Sequence, residues 1–182
     1  MIWLNYIFIL FSHVLLNATD KGVCTVEQKY YKAADIHLAK QKTILHCGKC
    51  GACSNINDIK EYYRTRETMT KISRSCAFKL INPINGRKKA QKCMIKKTNL
   101  SEKCLDCWLD NMECTKKNCL FKCLLATITN SSSLYNECLK CDENKCGKEF
   151  LKCAGANRRN SGIITDISRE KEEICPHSSI NF

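Results

Sequence analysis

Valine occurs three times in this 182-residue chain, at Val14, Val23 and Val26, and proline only twice. With so few valines and few turn dipeptides, a β-rich fold is excluded. Aliphatic residues are thin as well. Beyond Ala18, Leu, Ile, Val and Phe supply 32 of 164 residues, and the whole chain carries a formal net charge of +12. That composition, taken alone, is the composition of a disordered chain. Catalytic arrangements are also missing. The four histidines are scattered, and Asp106, Asp110 and Asp142 are not paired with any of them. No lipase elbow, zincin helix or histidine–aspartate calcium motif occurs.

Long apolar runs are absent except for "IWLNYIFILFSHVLL", residues 2–16, interrupted by Asn5, Ser12 and His13. This run is too short to span a bilayer, which takes about 20 apolar residues. Leu16 and Ala18 then suit the small-neutral pattern of signal-peptidase cleavage. The expectation is a signal peptide over residues 1–18. The mature chain of residues 19–182 then has no transmembrane segment.

Cysteine, by contrast, is abundant. Sixteen lie beyond the signal: Cys24, Cys47, Cys50, Cys53, Cys76, Cys93, Cys104, Cys107, Cys114, Cys119, Cys123, Cys138, Cys141, Cys146, Cys153 and Cys175. An even number at this density predicts eight disulfides and an oxidising compartment. The expected address is the secretory pathway, either secreted or in a vesicular lumen. The sequons Asn99-Leu100-Ser101 and Asn130-Ser131-Ser132 mark possible glycosylation. Disulfides also resolve the conflict over disorder. They restrict the unfolded chain, each contributing about 2–4 kcal/mol, and cysteine adds apolar volume.

The remaining patterns are helical. Thr25–Leu45 approximates a three-four repeat through Val26, Tyr30, Ala33, Ala34, His37, Leu38 and Leu45. Asp58–Phe78 carries one stripe through Ile59, Tyr62, Tyr63, Met69, Ile72 and Cys76, with Asn57 or Asp58 placed to cap it. "GRKKAQKCMIKK" predicts a short basic helix after the turn at Pro83–Gly86. Past Leu100 the cysteines carry the period, with Cys104/Cys107, Cys107/Cys114, Cys119/Cys123, Cys138/Cys141 and Cys146/Cys153 each on one helical face. Ser101 and Thr115 stand at N-cap positions. "TNSSS" and "CDENKCG" read as turns between helices. From about residue 154 the chain is a polar tail, with a last helix possible over Thr165–Ile174. The fold class expected is a single all-α domain, a small disulfide-braced bundle of short helices.

"HCGKCGAC", His46–Cys53, admits three chemistries. A C-x-x-C at a helix N-terminus can be a redox dithiol, but such a box follows a strand in a βαβ pattern, and no valine-rich strand precedes His46. His46, Cys47, Cys50 and Cys53 offer four zinc ligands, yet structural zinc sites gather two separated pairs. The third reading is structural, each cysteine bonding to a distant partner. It is preferred, because remote bonds close larger loops of the unfolded chain. Gly48 and Gly51 then let other segments approach the sulfurs. No metal or cofactor is expected.

Lysine and arginine cluster in "RKKAQKCMIKK", "KKNCLFK" and "NRR". Such runs are usually solvated helix faces. Nucleic acid is disfavoured by the compartment and by the lack of aromatic-interleaved motifs. A protein or an anionic glycan or lipid surface is the partner expected. Trp108 reads as core, packed on the Cys104 and Cys107 sulfurs, rather than as a binding anchor.

Several strings, "HCGKCGACSNINDIKEYYRTRETMT", "CLDCWLDNMEC", "NECLKCDENKCG" and "CAGANRRNSGI", together resemble a group of small secreted cysteine-rich proteins of single-celled eukaryotes, including algae and apicomplexan-type parasites. The resemblance covers most of residues 46–169. It implies a secreted disulfide-bonded domain and carries over no catalytic residue. The function expected is a non-enzymatic secreted protein presenting a rigid basic surface for macromolecular interaction. A lumenal thiol–disulfide oxidoreductase using Cys47 and Cys50 is the alternative, with a saposin-like lipid binder as a third.

Overall fold

The computed structural model describes residues 22–129, 131–165, 167 and 174–180. The expected signal peptide, the sequon Asn130 and most of the possible last helix lie outside them. Helices dominate, as the composition requires, but the described residues begin with a small antiparallel sheet. Strands β1 (Val23–Thr25), β2 (Tyr30–Tyr31) and β3 (Ile44–Cys47) are ordered β2-β1-β3. Val23 faces Tyr31 on one side and Cys47 on the other. The single helix expected over Thr25–Leu45 is therefore a misreading. Only a 3-10 turn at Ala33–Asp35 and the one-turn helix α1 (Ile36–Ala39) are helical there. The reason is local. Both valines beyond Ala18, Tyr30, Tyr31 and Ile44 are concentrated in this stretch, and such residues favour the pleated sheet.

Helix α2 (Ile56–Arg64) starts at Asn55, whose side chain accepts from the Asp58 N–H. The cap thus falls just before the two residues expected to supply it. The stripe over Asp58–Phe78 is broken at Thr65–Thr68, where Thr65 turns its hydroxyl back onto the Glu61 carbonyl at 2.7 Å. A second helix, α3 (Met69–Ala77), follows, continued by a 3-10 turn at Phe78–Ile81. The basic helix α4 (Gly86–Lys97) forms over the residues expected. Then comes α5 (Glu102–Thr129), 28 residues and about 42 Å long. Ser101 caps it, its Oγ accepting from the Cys104 N–H at 3.4 Å. Thr115 does not cap anything. It lies inside α5 and donates to the Asn111 carbonyl. Helices α6 (Ser132–Lys145) and α7 (Gly147–Ala154) both return along α5 in the same direction. The turn read at "TNSSS" is present, with Ser131 capping α6, but "CDENKCG" is not a turn: Cys141–Lys145 are helical and only Cys146 separates α6 from α7.

All sixteen cysteines are in disulfides. Four make an antiparallel ladder between α5 and the returning helices: Cys107–Cys153, Cys114–Cys146, Cys119–Cys141 and Cys123–Cys138. Cys76–Cys93 ties α3 to α4. The main core gathers Leu45, Ile59, Tyr62, Met69, Met94 and Leu109, and a smaller one forms around Val23, Ala39, Ile44, Cys47 and Cys175. The polar stretch after Ala154 is not a loose tail throughout. Ala156, Ser161, Ile163 and Cys175 are buried. No described helix is long and apolar enough to cross a membrane.

Candidate functional site

The motif at His46–Cys53 is a junction. Cys47 bonds to Cys175, Cys50 to Cys24 and Cys53 to Cys104, so its three cysteines reach three different partners. The outward-bonding pattern expected of it is present. No thiolate remains there for metal binding or dithiol exchange. His46 is fully buried, with Nδ1 3.0 Å from the Cys47 carbonyl and Nε2 2.7 Å from Ser54 Oγ. A carbonyl only accepts, so Nδ1 carries the proton and Nε2 accepts from the Ser54 hydroxyl. That hydroxyl oxygen in turn accepts from the Gly51 N–H at 2.8 Å. Burial holds the His46 imidazole below its ordinary range. Ser54 is buried as well, so the pair is closed to any substrate.

The motif docks against the last turn of α7 and the turn that follows it. Ala52 and Cys53 donate to the carbonyls of Cys153 and Ala154, and Cys47 donates to that of Asn160. Gly51 and Gly155 cross at this seam. A Cβ on Gly51 would lie 2.5 Å from the Gly155 nitrogen, and Gly155 itself has φ +69°. The strings "HCGKCGAC" and "CAGANRRN" are thus halves of one backbone interface.

A cavity of about 200 Å³ opens between α3, α5, α6, α7 and residues 157–159, 165 and 167. Trp108 lines it, only half-buried. Its indole donates to Tyr62 Oη at 3.1 Å, and its ring meets Tyr62 and Phe150 edge-on at 6.1 and 5.0 Å. Trp108 is thus partly buried against the main core, as expected of a core residue, and the contacts it makes are to aromatic rings. Deeper in, Asp142 accepts from Asn111 Nδ2 at 3.2 Å and contacts the Thr115 hydroxyl. Burial raises the Asp142 carboxyl above the ordinary range, against the hydrogen bonds from Thr115 and Asn111. Thr115 has one hydroxyl proton and two oxygens competing for it, a conflict that a protonated Asp142 relieves. Asn111 Oδ1 is buried without a partner. Sequence reasoning dismissed Asp142 for want of a histidine and missed Asn111, which carries no signal in its spacing.

The other aspartates singled out are structural. Asp106 and Asp110 meet Arg87 at 3.7 and 2.8 Å, and Glu113 joins them at 3.0 Å. Those are the ion pairs of α4 among the described residues. Lys88, Lys89, Lys92, Lys96 and Lys97 are exposed and take part in none of them. Asn99 is exposed in the link between α4 and α5. No group of three or more His, Cys, Asp or Glu among the described residues is arranged to hold a metal ion.

The chain belongs to a family of unknown function, DUF8771, whose model matches residues 87–177. That stretch contains α4 from Arg87 onward and α5 to α7 whole, with the four-rung ladder, and three disulfides reach out of it, from Cys93, Cys104 and Cys175. No curated protein and no solved structure matches the chain.

Proposed function

We propose that this member of the family is a secreted or vesicular protein, not an enzyme, that presents a rigid basic surface to another macromolecule. The observation that carries this reading is α4. Five of its lysines stand in solvent and make no ion pair among the described residues, on a helix fixed to α3 through Cys76–Cys93. A disulfide-fixed helix loses little conformational entropy on binding, so its charges are set out in advance for an anionic partner. An acidic protein, an anionic glycan or a lipid headgroup supplies that counter-charge. The eight disulfides favour an oxidising compartment, in line with a cleaved leader over residues 1–18 and glycosylation at exposed Asn99 and at Asn130. The oxidoreductase alternative loses its main support, because Cys47 and Cys50 are bonded to Cys175 and Cys24 and not to each other.

The test is retention on immobilised heparin, a polyanion. The protein should bind and need added salt to elute. Replacing Lys88, Lys92 and Lys96 together by Glu should lower the eluting salt concentration sharply. Equal retention of the triple variant would show that α4 is an ordinary solvated face. Turnover of a disulfide substrate by the native protein would overturn the non-enzymatic reading.

A further inference from the structure

Beside the lysines of α4 lies an apolar face that nothing in the described residues covers. Ile84 is 91 % exposed in the loop before α4, and Ile81 is 54 % exposed in the 3-10 turn. On α5, Leu120, Phe121 and Ile128 are exposed, at 46, 74 and 71 %. With Leu124 they recur at intervals of one, four and eight residues, an arc of roughly 100° on the helix. Helix α6 takes the other side of α5 through Cys119 and Cys123, so the arc faces away from it. The two parts are continuous. Ile84 and Leu120 border one cleft with Lys88 and Lys117, and Ile81 and Leu120 wall the next groove.

We infer that this face docks on a bilayer surface containing anionic lipid, which rests on the basic-surface reading above and names its partner. Three observations choose that occupant. The rim is cationic: Lys79, Lys88 and Lys117 are exposed, while nearby Glu113 is neutralised by Arg87. A second copy of the chain would set like charges against one another. The apolar residues project outward, with Ile81, Ile84, Phe121 and Ile128 each more than half exposed. Projecting isoleucine and phenylalanine side chains ringed by lysines match what an interfacial binder needs. The apolar groups enter the headgroup boundary, and the lysine stems lie along it with their charges on phosphate. Cross-links behind the face keep it from collapsing inward.

Protein purified from the medium of a eukaryotic host is mixed with phosphatidylcholine vesicles, with or without phosphatidylserine, and sedimented. It should pellet with the mixed vesicles and stay in solution with phosphatidylcholine alone. The double variant Ile84→Ser/Phe121→Ser should partition about tenfold less or weaker still. Ile128→Ser should weaken binding on its own. Ile164→Ser, at a 76 % exposed position outside the face, should not change it. Circular dichroism and a count of zero free thiols confirm that each variant is folded. Undiminished pelleting of the double variant overturns the inference, as does concentration-dependent self-association that the double variant abolishes. If vesicles are not bound but heparin is, this inference fails and the basic-surface reading stands. If neither is bound, both fail.

Discussion

Burial acts in opposite directions on His46 and Asp142, and the two leave opposite marks on stability. His46 is neutral in the fold and held below its ordinary value of about 6.5. Its contribution is complete above that pH and is lost as pH falls toward the lower folded value. Asp142 has a raised folded value, so its contribution is complete below about pH 4 and is lost as pH rises through the folded value. Urea midpoints should therefore fall between neutral pH and pH 5 in the native chain, and His46→Gln should remove most of that slope. Asp142→Asn should be no less stable than the native chain at pH 7, and any advantage should vanish in acid. A flat native profile, or an Asp142→Asn protein that unfolds at neutral pH, would contradict these assignments. Gly51 gives the sharper steric test. Gly51→Ala places a methyl group 2.5 Å from the Gly155 backbone, where no side chain can yield. The expected loss is about 2 kcal/mol or more, read as secretion failure or a lowered melting temperature.

Helix α6 has no fully buried residue, so its attachment rests on Cys138, Cys141 and the adjoining Cys146 rather than on packing. Under graded reductant, hydrogen exchange should rise in Ser132–Lys145 before it rises in α2 or α3, whose inner faces carry Ile59, Tyr62 and Met69. Simultaneous release of all helices would show instead that the ladder and the core form one cooperative unit. The same imbalance explains which elements were legible. Cysteine spacings of three, four and seven disclosed α5 to α7, because there the cross-links themselves carry the helical period. The basic helix α4 was legible from its bounding turn. The sheet was not, since three strands of two to four residues give too short an alternation to outweigh scattered apolar positions. The break at Thr65 was likewise hidden, because Met69 and Ile72 continue the stripe of α2 although the chain leaves the helix over Thr65–Thr68. The outward bonding of Cys47, Cys50 and Cys53 followed from loop entropy, but which cysteine each would meet depends on the seam with Cys153–Asn160, and no local pattern encodes that. The cavity around Asn111 and Asp142 comes from five separate segments and was invisible for the same reason.

At the scale of the whole molecule, the cross-links form a network, and this changes what each bond contributes. Cys47–Cys175 spans 128 residues and Cys76–Cys93 only 17. Treated as isolated loops, the longer would restrain the unfolded chain by about 2 kcal/mol more. They are not isolated. With Cys53–Cys104 and Cys107–Cys153 intact, the covalent path from Cys47 to Cys175 runs six residues to Cys53, three from Cys104 to Cys107 and twenty-two from Cys153. That path of about thirty residues leaves an entropic difference near 0.5 kcal/mol. Paired replacements avoid stranding a reactive thiol, so the comparison is Cys47→Ser/Cys175→Ser against Cys76→Ser/Cys93→Ser in equilibrium denaturation. Each pair should lose about 3–4 kcal/mol, and the two losses should agree to within about 1 kcal/mol. A loss about 2 kcal/mol greater for the Cys47 pair would mean that the bonds at Cys53 and Cys107 do not hold in the denatured ensemble. Full reduction removes every such constraint at once. With so few aliphatic side chains to oppose chain entropy, the helical circular-dichroism signal should then collapse without a cooperative transition. A reduced protein that still unfolds cooperatively would assign the stability to the core around Tyr62 and Met94 instead of to the network.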